Sequence, residues 1–258
     1  TTSSLNLPPS TGAPEATTDI AIGLNLDATA DGVDPTGFNP LISDTYTNST
    51  SSTVHDSLGE SHVLTYYFLK ELTTSATNPT ADPNQWKMFT YLDKKPVDVA
   101  TGDPIIHPGS AVTGTLAATF KFDADGSLNT TTSTPASIAN SIPASVLANG
   151  AATLGLNHDF ASNNTTQFAS NFSVSTLNPT GFSTGRLTGI DISSEGLVRA
   201  SYTNGISTPM GKLALADFPN SQGLVNAGGS SWNETTESGA VLAGEAGSGR
   251  FGLIQSGA

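Results

Sequence analysis

The chain has 258 residues, enough for one large domain or two of ordinary size, and only 12 % are charged, so Ser, Thr, Asn and Gly carry most of its polarity. Nine Lys and Arg stand against 22 Asp and Glu, and the resulting net charge of −13 excludes a nucleic-acid groove or an anionic membrane surface as partner. With no Cys, disulfides, thiolate metal sites and cysteine nucleophiles are excluded together.

Residues 1–18, TTSSLNLPPSTGAPEATT, combine a Pro pair with small polar residues and read as an extended linker. A start at Thr1, without Met or a signal pattern, reads as an excised segment, and no run approaches the roughly 18 apolar residues of a membrane-crossing helix. Ile20, Ile22, Leu24 and Leu26 alternate with Ala21, Gly23 and Asn25, the period of a strand with one buried face. Runs at 45–56 and 61–71 flank Asp56-Ser57-Leu58-Gly59 and predict a β-hairpin, with Gly59 supplying a positive φ. In its second arm Val63, Thr65, Tyr67 and Leu69 share one face and Leu64, Tyr66 and Phe68 the other, so a central strand covered on both sides is expected. Residues 86–92 form a further strand, between a polar loop at 73–84 and the turn Asp93-Lys94-Lys95-Pro96.

A second hairpin joins 113–122 to 127–132 through Asp123-Ala124-Asp125-Gly126, after which Leu154, Leu156, His158 and Phe160 alternate again. A third joins 186–192 to 197–203 through Ser193-Ser194-Glu195-Gly196, with 212–216 as the next strand. Residues 216–224, with Pro219 in the first turn, are the one segment read as a brief helix. Thr/Ser/Asn clusters at 45–53, 129–134 and 162–171 read as loops or strand edges. Short strands between turns indicate an all-β chain of sandwich or barrel type rather than βαβ units.

Chemistry-bearing motifs are weak throughout. Asp123-Ala124-Asp125-Gly126 has the closely spaced carboxylates of a calcium loop, but Thr132 stands where the bidentate acid belongs, so a plain turn is the better reading. His55, His62, His107 and His158 are scattered rather than set at i, i+4. His55 and His62 flank the Asp56–Gly59 turn and are placed to face each other across the hairpin. Two imidazoles fall short of the three or four ligands of a transition-metal site, so cross-strand packing or hydrogen bonding is expected. No Gly-x-Ser-x-Gly elbow occurs, and Asp56, Glu60 and Glu71 are too generic to nominate as a glycosidase pair. The Gly-rich run at 244–252 lacks the Lys-Ser/Thr ending of a phosphate loop, and the Asn-x-Ser/Thr triplets at Asn48, Asn129, Asn163, Asn164, Asn171 and Asn233 arise by chance in so Ser/Thr-rich a chain. The expectation is a protein that is not an enzyme, with no catalytic, cofactor-binding or metal-binding residues and no cofactor.

The C-terminal third carries a more specific pattern. GLVRASYTNG at 196–205, MGKLALADFPNSQGL at 210–224, then Gly229, Trp232, Thr235, Ser238-Gly239 and GSGRFGLIQSGA at 247–258 together resemble the signature of flagellar axial proteins. VHDSLGESHVLTYYF at 54–68 resembles the outer-domain hairpin of the hook branch, although that branch often has an aromatic at the place of His55 and a Pro near Ser61. The likeness covers 45–70 and 180–258 well, and 73–175 in strand pattern only.

The resemblance implies two β-rich domains, an outer one inserted into a partial inner one. Residues 1–18 would end the first inner segment, 19–181 would form the outer domain and 182–258 would return to the inner domain, with both tube-forming terminal helices missing. It further implies a structural subunit of the hook, the flexible joint passing torque from rod to filament, self-assembling in full length and meeting hook-cap, rod and hook-filament junction proteins. The protein would be exported by the flagellar type III route without a cleaved signal peptide and would work outside the cell, while the excised segment alone would be monomeric. A rod or hook-cap protein is the structural alternative. A carbohydrate-binding β-sandwich is the alternative of another class, for which two Trp are few.

Overall fold

The computed structural model describes residues 11–72, 82–97, 118–133, 137–161 and 164–255. Most of the linker at 1–18 and of the loop at 73–84, the first half of the strand expected at 113–122, His107, Asn163 and the last three residues of the C-terminal motif lie outside them. The described chain divides into two compact units. One is Pro14–Ser183, and the other joins residues 11–13 to 184–255.

A two-residue strand, β1 (Thr11–Gly12), precedes the larger unit. That unit opens with β2 (Asp19–Asp27), the alternating strand expected, whose Ile20, Ile22, Leu24 and Leu26 are all buried. The first hairpin is β3 (Asn48–His55) and β4 (Ser61–Lys70), paired without interruption from Asn48↔Phe68 to His55↔Ser61. Its turn has Gly59 at φ 83°, and the Gly59 N–H closes on the Asp56 carbonyl at 3.0 Å. β5 (Gln85–Leu92) pairs along the other edge of β4, which is therefore central. From β5 the chain reverses through Asp93 (φ 47°) and Lys94 (φ 68°), the two consecutive left-handed residues of a type I′ hairpin, into β6 (Lys95–Pro96). β7 (Ala118–Lys121) pairs with the first half of β5.

A second sheet gathers on β2. It adds β8 (Ser137–Ile142), a single-turn helix α1 (Ala144–Leu147), β9 (Leu154–Asp159), β10 (Thr166–Phe168) and β11 (Ser173–Pro179). One edge of β2 is shared by β9 and β10, both parallel to it, and the other is taken by antiparallel β11. The inner faces of the two sheets meet in one apolar cluster: Ile20, Ile22, Leu24 and Leu26 join Leu64, Tyr66, Phe68, Trp86, Met88, Phe120, Leu154, Leu156 and Phe160. Each such side chain contributes about 1.5–3 kcal/mol on burial. Trp86 Nε1 satisfies its donor on Gln167 Oε1 at 3.1 Å within this layer.

Several expectations are corrected. The outer face of β4 is covered only at its far end, where Leu69, Phe89, Tyr91 and Phe38 form a small second core with Phe38 stacked on Phe89 at 4.4 Å; Val63, near the turn, is 50 % exposed. The arm expected at 127–132 shrinks to a Phe122↔Leu128 bridge, because Ser127 instead bridges Thr166 and Asn129 Oδ1 takes the N–H groups of Thr131 and Thr132. The α-helical turn among the described residues lies at α1; of the brief helix expected at 216–224 there is only a 3₁₀ turn at Ser221–Gly223, since 216 and 217 belong to a strand. α1 follows Pro143 and is closed by Ala148 in the left-handed region, whose N–H reaches the Ala144 carbonyl at 3.0 Å.

The smaller unit is a meander of β12 (Gly185–Ile192), β13 (Leu197–Tyr202) and β14 (Ser207–Lys212), with β1 added on the free edge of β12. The hairpin expected around Gly196 is present, with Gly196 at φ 79°. The strand expected at 212–216 is divided: Lys212 ends β14, Leu213 turns to bond the Gly196 carbonyl, and β15 (Ala214–Asp217) starts afresh. After β15 comes a 3₁₀ turn, Ser221–Gly223, capped by Asn220. β16 (Val225–Gly228) and β17 (Ser231–Asn233) form a short exposed hairpin, and β18 (Leu242–Glu245) returns to pair with β15. Among the described residues of this unit the buried apolar side chains are Val198, Ala200 and Ala246.

Candidate functional site

The densest group of titratable side chains forms where β3 turns into β4. Asp56 leaves β3 with its carboxylate fully buried. Its Oδ1 accepts the N–H groups of Leu58 and Glu60, both at 2.9 Å, which fixes the turn. Its Oδ2 accepts Asn149 Nδ2 at 2.5 Å and lies 3.3 Å from His62 Nε2. The other ring nitrogen of His62 is 2.7 Å from Asp93 Oδ2, while Asp93 Oδ1 accepts the Val63 N–H at 2.9 Å. Asn149 reaches this point because α1 ends two residues before it, at Leu147; its amide also donates to Glu60 Oε2 at 2.6 Å and its Oδ1 accepts Ala151 N–H at 2.9 Å.

The electrostatics follow from these partners. Burial works to raise the pKa of Asp56, but hydrogen bonds from Asn149, His62 and the two backbone amides outweigh it and hold the pKa below the usual carboxylate value. Burial likewise works to lower the pKa of His62, and the bonds and charges of Asp93 and Asp56 outweigh it, raising the pKa above the ordinary histidine value.

His55 and His62 do not face each other. The register sets His62 against Val54 and His55 against Ser61, so the two rings occupy opposite faces of the hairpin. Instead the backbone of His55 is pinned by Thr17, which accepts its N–H through Oγ1 and donates to its carbonyl, both at 2.9 Å. His158 is buried edge-on to Tyr66. Sequence reasoning missed Asp93 and Asn149, which arrive from distant turns; the turn residues Asp93-Lys94-Lys95-Pro96 and Asn149-Gly150 are the local signals that tight turns stand at these two places.

Donor atoms of Asp56, Glu60 and His62 lie within 4.8 Å of one another, close enough to share a cation, yet each is already engaged in the hydrogen bonds above. Asp56 and Glu60 are no glycosidase pair, since the Asn149 amide bridges them and Asp56 has no exposed surface to offer a sugar. In the Asp123–Gly126 turn the carboxylates serve the turn itself: Asp125 Oδ1 accepts the N–H and hydroxyl of Ser127, and Asp123 Oδ1 accepts Asn129 Nδ2. Buried Glu71 is committed to Lys87 at 3.2 Å and to the Gln85 amide. These groups tie elements together. The surface offers something different: β3 is the terminal strand of its sheet, and Ser49, Ser51 and Thr53 point outward along it without one charged side chain between 48 and 54.

Residues 25–182, nearly the whole larger unit, match the family model described as the flagellar basal body protein FlaE D2 domain. The chain belongs to the flagellar hook protein family. Among its relatives in that family, the flagellar hook protein FlgE of Escherichia coli K12 is 28 % identical over 254 residues, covering 98 % of this chain and 56 % of the relative. The Salmonella typhimurium hook protein is 29 % identical over 260 residues, with the same coverage of each. The Rhizobium meliloti hook protein is 31 % identical over 82 % of this chain and 45 % of its own length. The chain thus spans about half the length of the curated relatives it matches. The crystal structure of Helicobacter pylori hook protein FlgE2 superposes on 77 % of this chain and 39 % of its own, with a TM-score of 0.48 and 20 % identity. These relatives are hook proteins and not rod, hook-cap or carbohydrate-binding proteins.

Proposed function

We propose that this chain is the outer, β-rich body of a flagellar hook subunit and that its role is mechanical: residues 19–181 form an outer domain inserted in an inner one, and the assembled polymer passes torque from rod to filament. The observation that carries the reading is the family match over 25–182, in a chain whose titratable clusters are closed on themselves. In full length it would polymerise with other copies and meet hook-cap, rod and hook-filament junction proteins outside the cell, after type III export.

A bending polymer needs lateral contacts that change partners at low cost. Small hydroxyl side chains such as Ser49, Ser51 and Thr53 suit that need, since they exchange direct and water-mediated hydrogen bonds without exposing apolar surface. Gold-labelled antibody raised against the chain should mark the curved segment between cell body and filament on intact cells; labelling confined elsewhere would sink the reading. Ser51→Trp in the full-length protein should straighten the hook in electron micrographs, whereas unchanged curvature would remove β3 from the sliding surface.

A further inference from the structure

We propose that His62 is a proton-operated latch at the turn end of the Pro14–Ser183 unit: charged, it ties the β3–β4 turn to the β5–β6 turn, and neutral, it releases the β5–β6 turn. This stands on the hydrogen-bond geometry and is independent of the hook assignment.

Three segments converge on one imidazole. The β3–β4 turn brings Asp56 and Glu60, the β5–β6 turn brings Asp93 followed by Lys94 and Lys95, and the segment after α1 brings the neutral amide of Asn149. The Lys95 ammonium is held by the Val146 carbonyl at 3.1 Å. With a carboxylate oxygen at each ring nitrogen, both nitrogens must donate, which is the imidazolium form.

A neutral ring has one N–H and must present a lone pair to one of the two carboxylates. Asp56 is fully buried and cannot turn away; the Asp93 side chain is 46 % exposed and can. The remaining proton therefore stays on Nε2 toward Asp56, and Asp93 swings into water. That breaks the Asp93 Oδ1 bond to Val63 N–H, leaves the Asp93 N–H to Val63 carbonyl bond at 2.9 Å as the remaining tie between the two residues, and so holds Asp93 and Lys94, both non-glycine at positive φ, by fewer bonds. Asn149 still satisfies Asp56 and Glu60, so release is confined to one turn.

The direction in pH follows. Because the pKa of His62 is raised in the folded state, its contribution is complete below the ordinary value of 6.5 and is lost as pH rises through the folded value. Asp56 runs the other way: its contribution is present above 3.8 and is lost as pH falls through its depressed value. The latch is closed between these limits and opens on the alkaline side.

Imidazole NMR of the whole 258-residue chain across pH, with amide hydrogen exchange on the same samples, tests this. His62 should titrate above 6.5, and over the same interval exchange at Val63 should accelerate beyond the intrinsic base-catalysed rise while Glu60 keeps its protection. Asp93→Asn should move the His62 titration downward and abolish the exchange step. If that variant does not fold, the wild-type comparison of Val63 with Glu60 decides alone. A His62 titration at or below 6.5, no step at Val63, or a step at Glu60 of equal size would each overturn the latch.

Discussion

A carboxylate can lie fully buried at position 56 because four donors converge on it: the amides of Leu58 and Glu60, Asn149 Nδ2 and His62 Nε2. Removing the acceptor orphans the two backbone amides and His62 Nε2 at once, while Asn149 Nδ2 keeps Glu60. Asp56→Ala should therefore cost about 3–5 kcal/mol in urea unfolding, the range for breaking a buried ion pair, against less than about 1 kcal/mol for Asp44→Ala in the exposed 3₁₀ turn Ser43–Thr45. Two glycines separate backbone strain from crowding. Gly126 and Gly150 both sit near φ +80°, but a Cβ at 126 would lie 2.6 Å from the Gln167 carbonyl oxygen and one at 150 would meet nothing within 4 Å. Gly150→Ala should cost only the left-handed penalty of about 1–2 kcal/mol, and Gly126→Ala distinctly more, as a larger loss of thermal midpoint. Equal losses would mean that the β10 backbone yields freely.

Among the elements, β4 shows why one strand gives opposite mutational results on its two faces. Phe68 is fully buried between the sheets and Val63 is half exposed beside the turn. Phe68→Ala should cost about 3–5 kcal/mol and Val63→Ala within about 0.5 kcal/mol, both read from chemical denaturation; comparable losses would show that something covers the Val63 face. The period-two alternation at 20–26, 61–70 and 154–160 and the glycines at 59 and 196 were legible because side-chain direction and positive φ are local properties. β14 was not legible, since Pro209 and Gly211 break its pattern while the register shifts opposite Val198 and Arg199. Nor was α1, as one helical turn holds no periodicity. The parallel pairing of β2 with β9 and β10 is invisible to alternation, which says which face is buried and nothing about the neighbour. The site was half legible for the same reason: Asp56 and His62 belong to one hairpin, but register and distant turns decide that His62 meets Asp93 instead of His55.

At the scale of the whole chain, apolar burial is distributed unequally. The larger unit fills a core between two sheets, whereas the unit of residues 11–13 and 184–255 buries Val198, Ala200 and Ala246 and leaves Ile190, Leu213, Val225, Trp232, Val241, Leu242 and Leu253 exposed. Ordering each residue costs about 1–2 kcal/mol of backbone entropy, and three small buried side chains offset little of it, so this unit must draw on its backbone ladders. Local opening should be correspondingly easy. Hydrogen exchange should find β13 and β14 opening at free energies several kcal/mol below those of β4 and β5. The segment 14–183 expressed alone should keep the wild-type urea midpoint of its own transition. Protection as strong in β13 as in β4 would show that the meander is stable without further cover. Loss of folding in 14–183 would show that the larger unit depends on the smaller, which its self-contained core argues against.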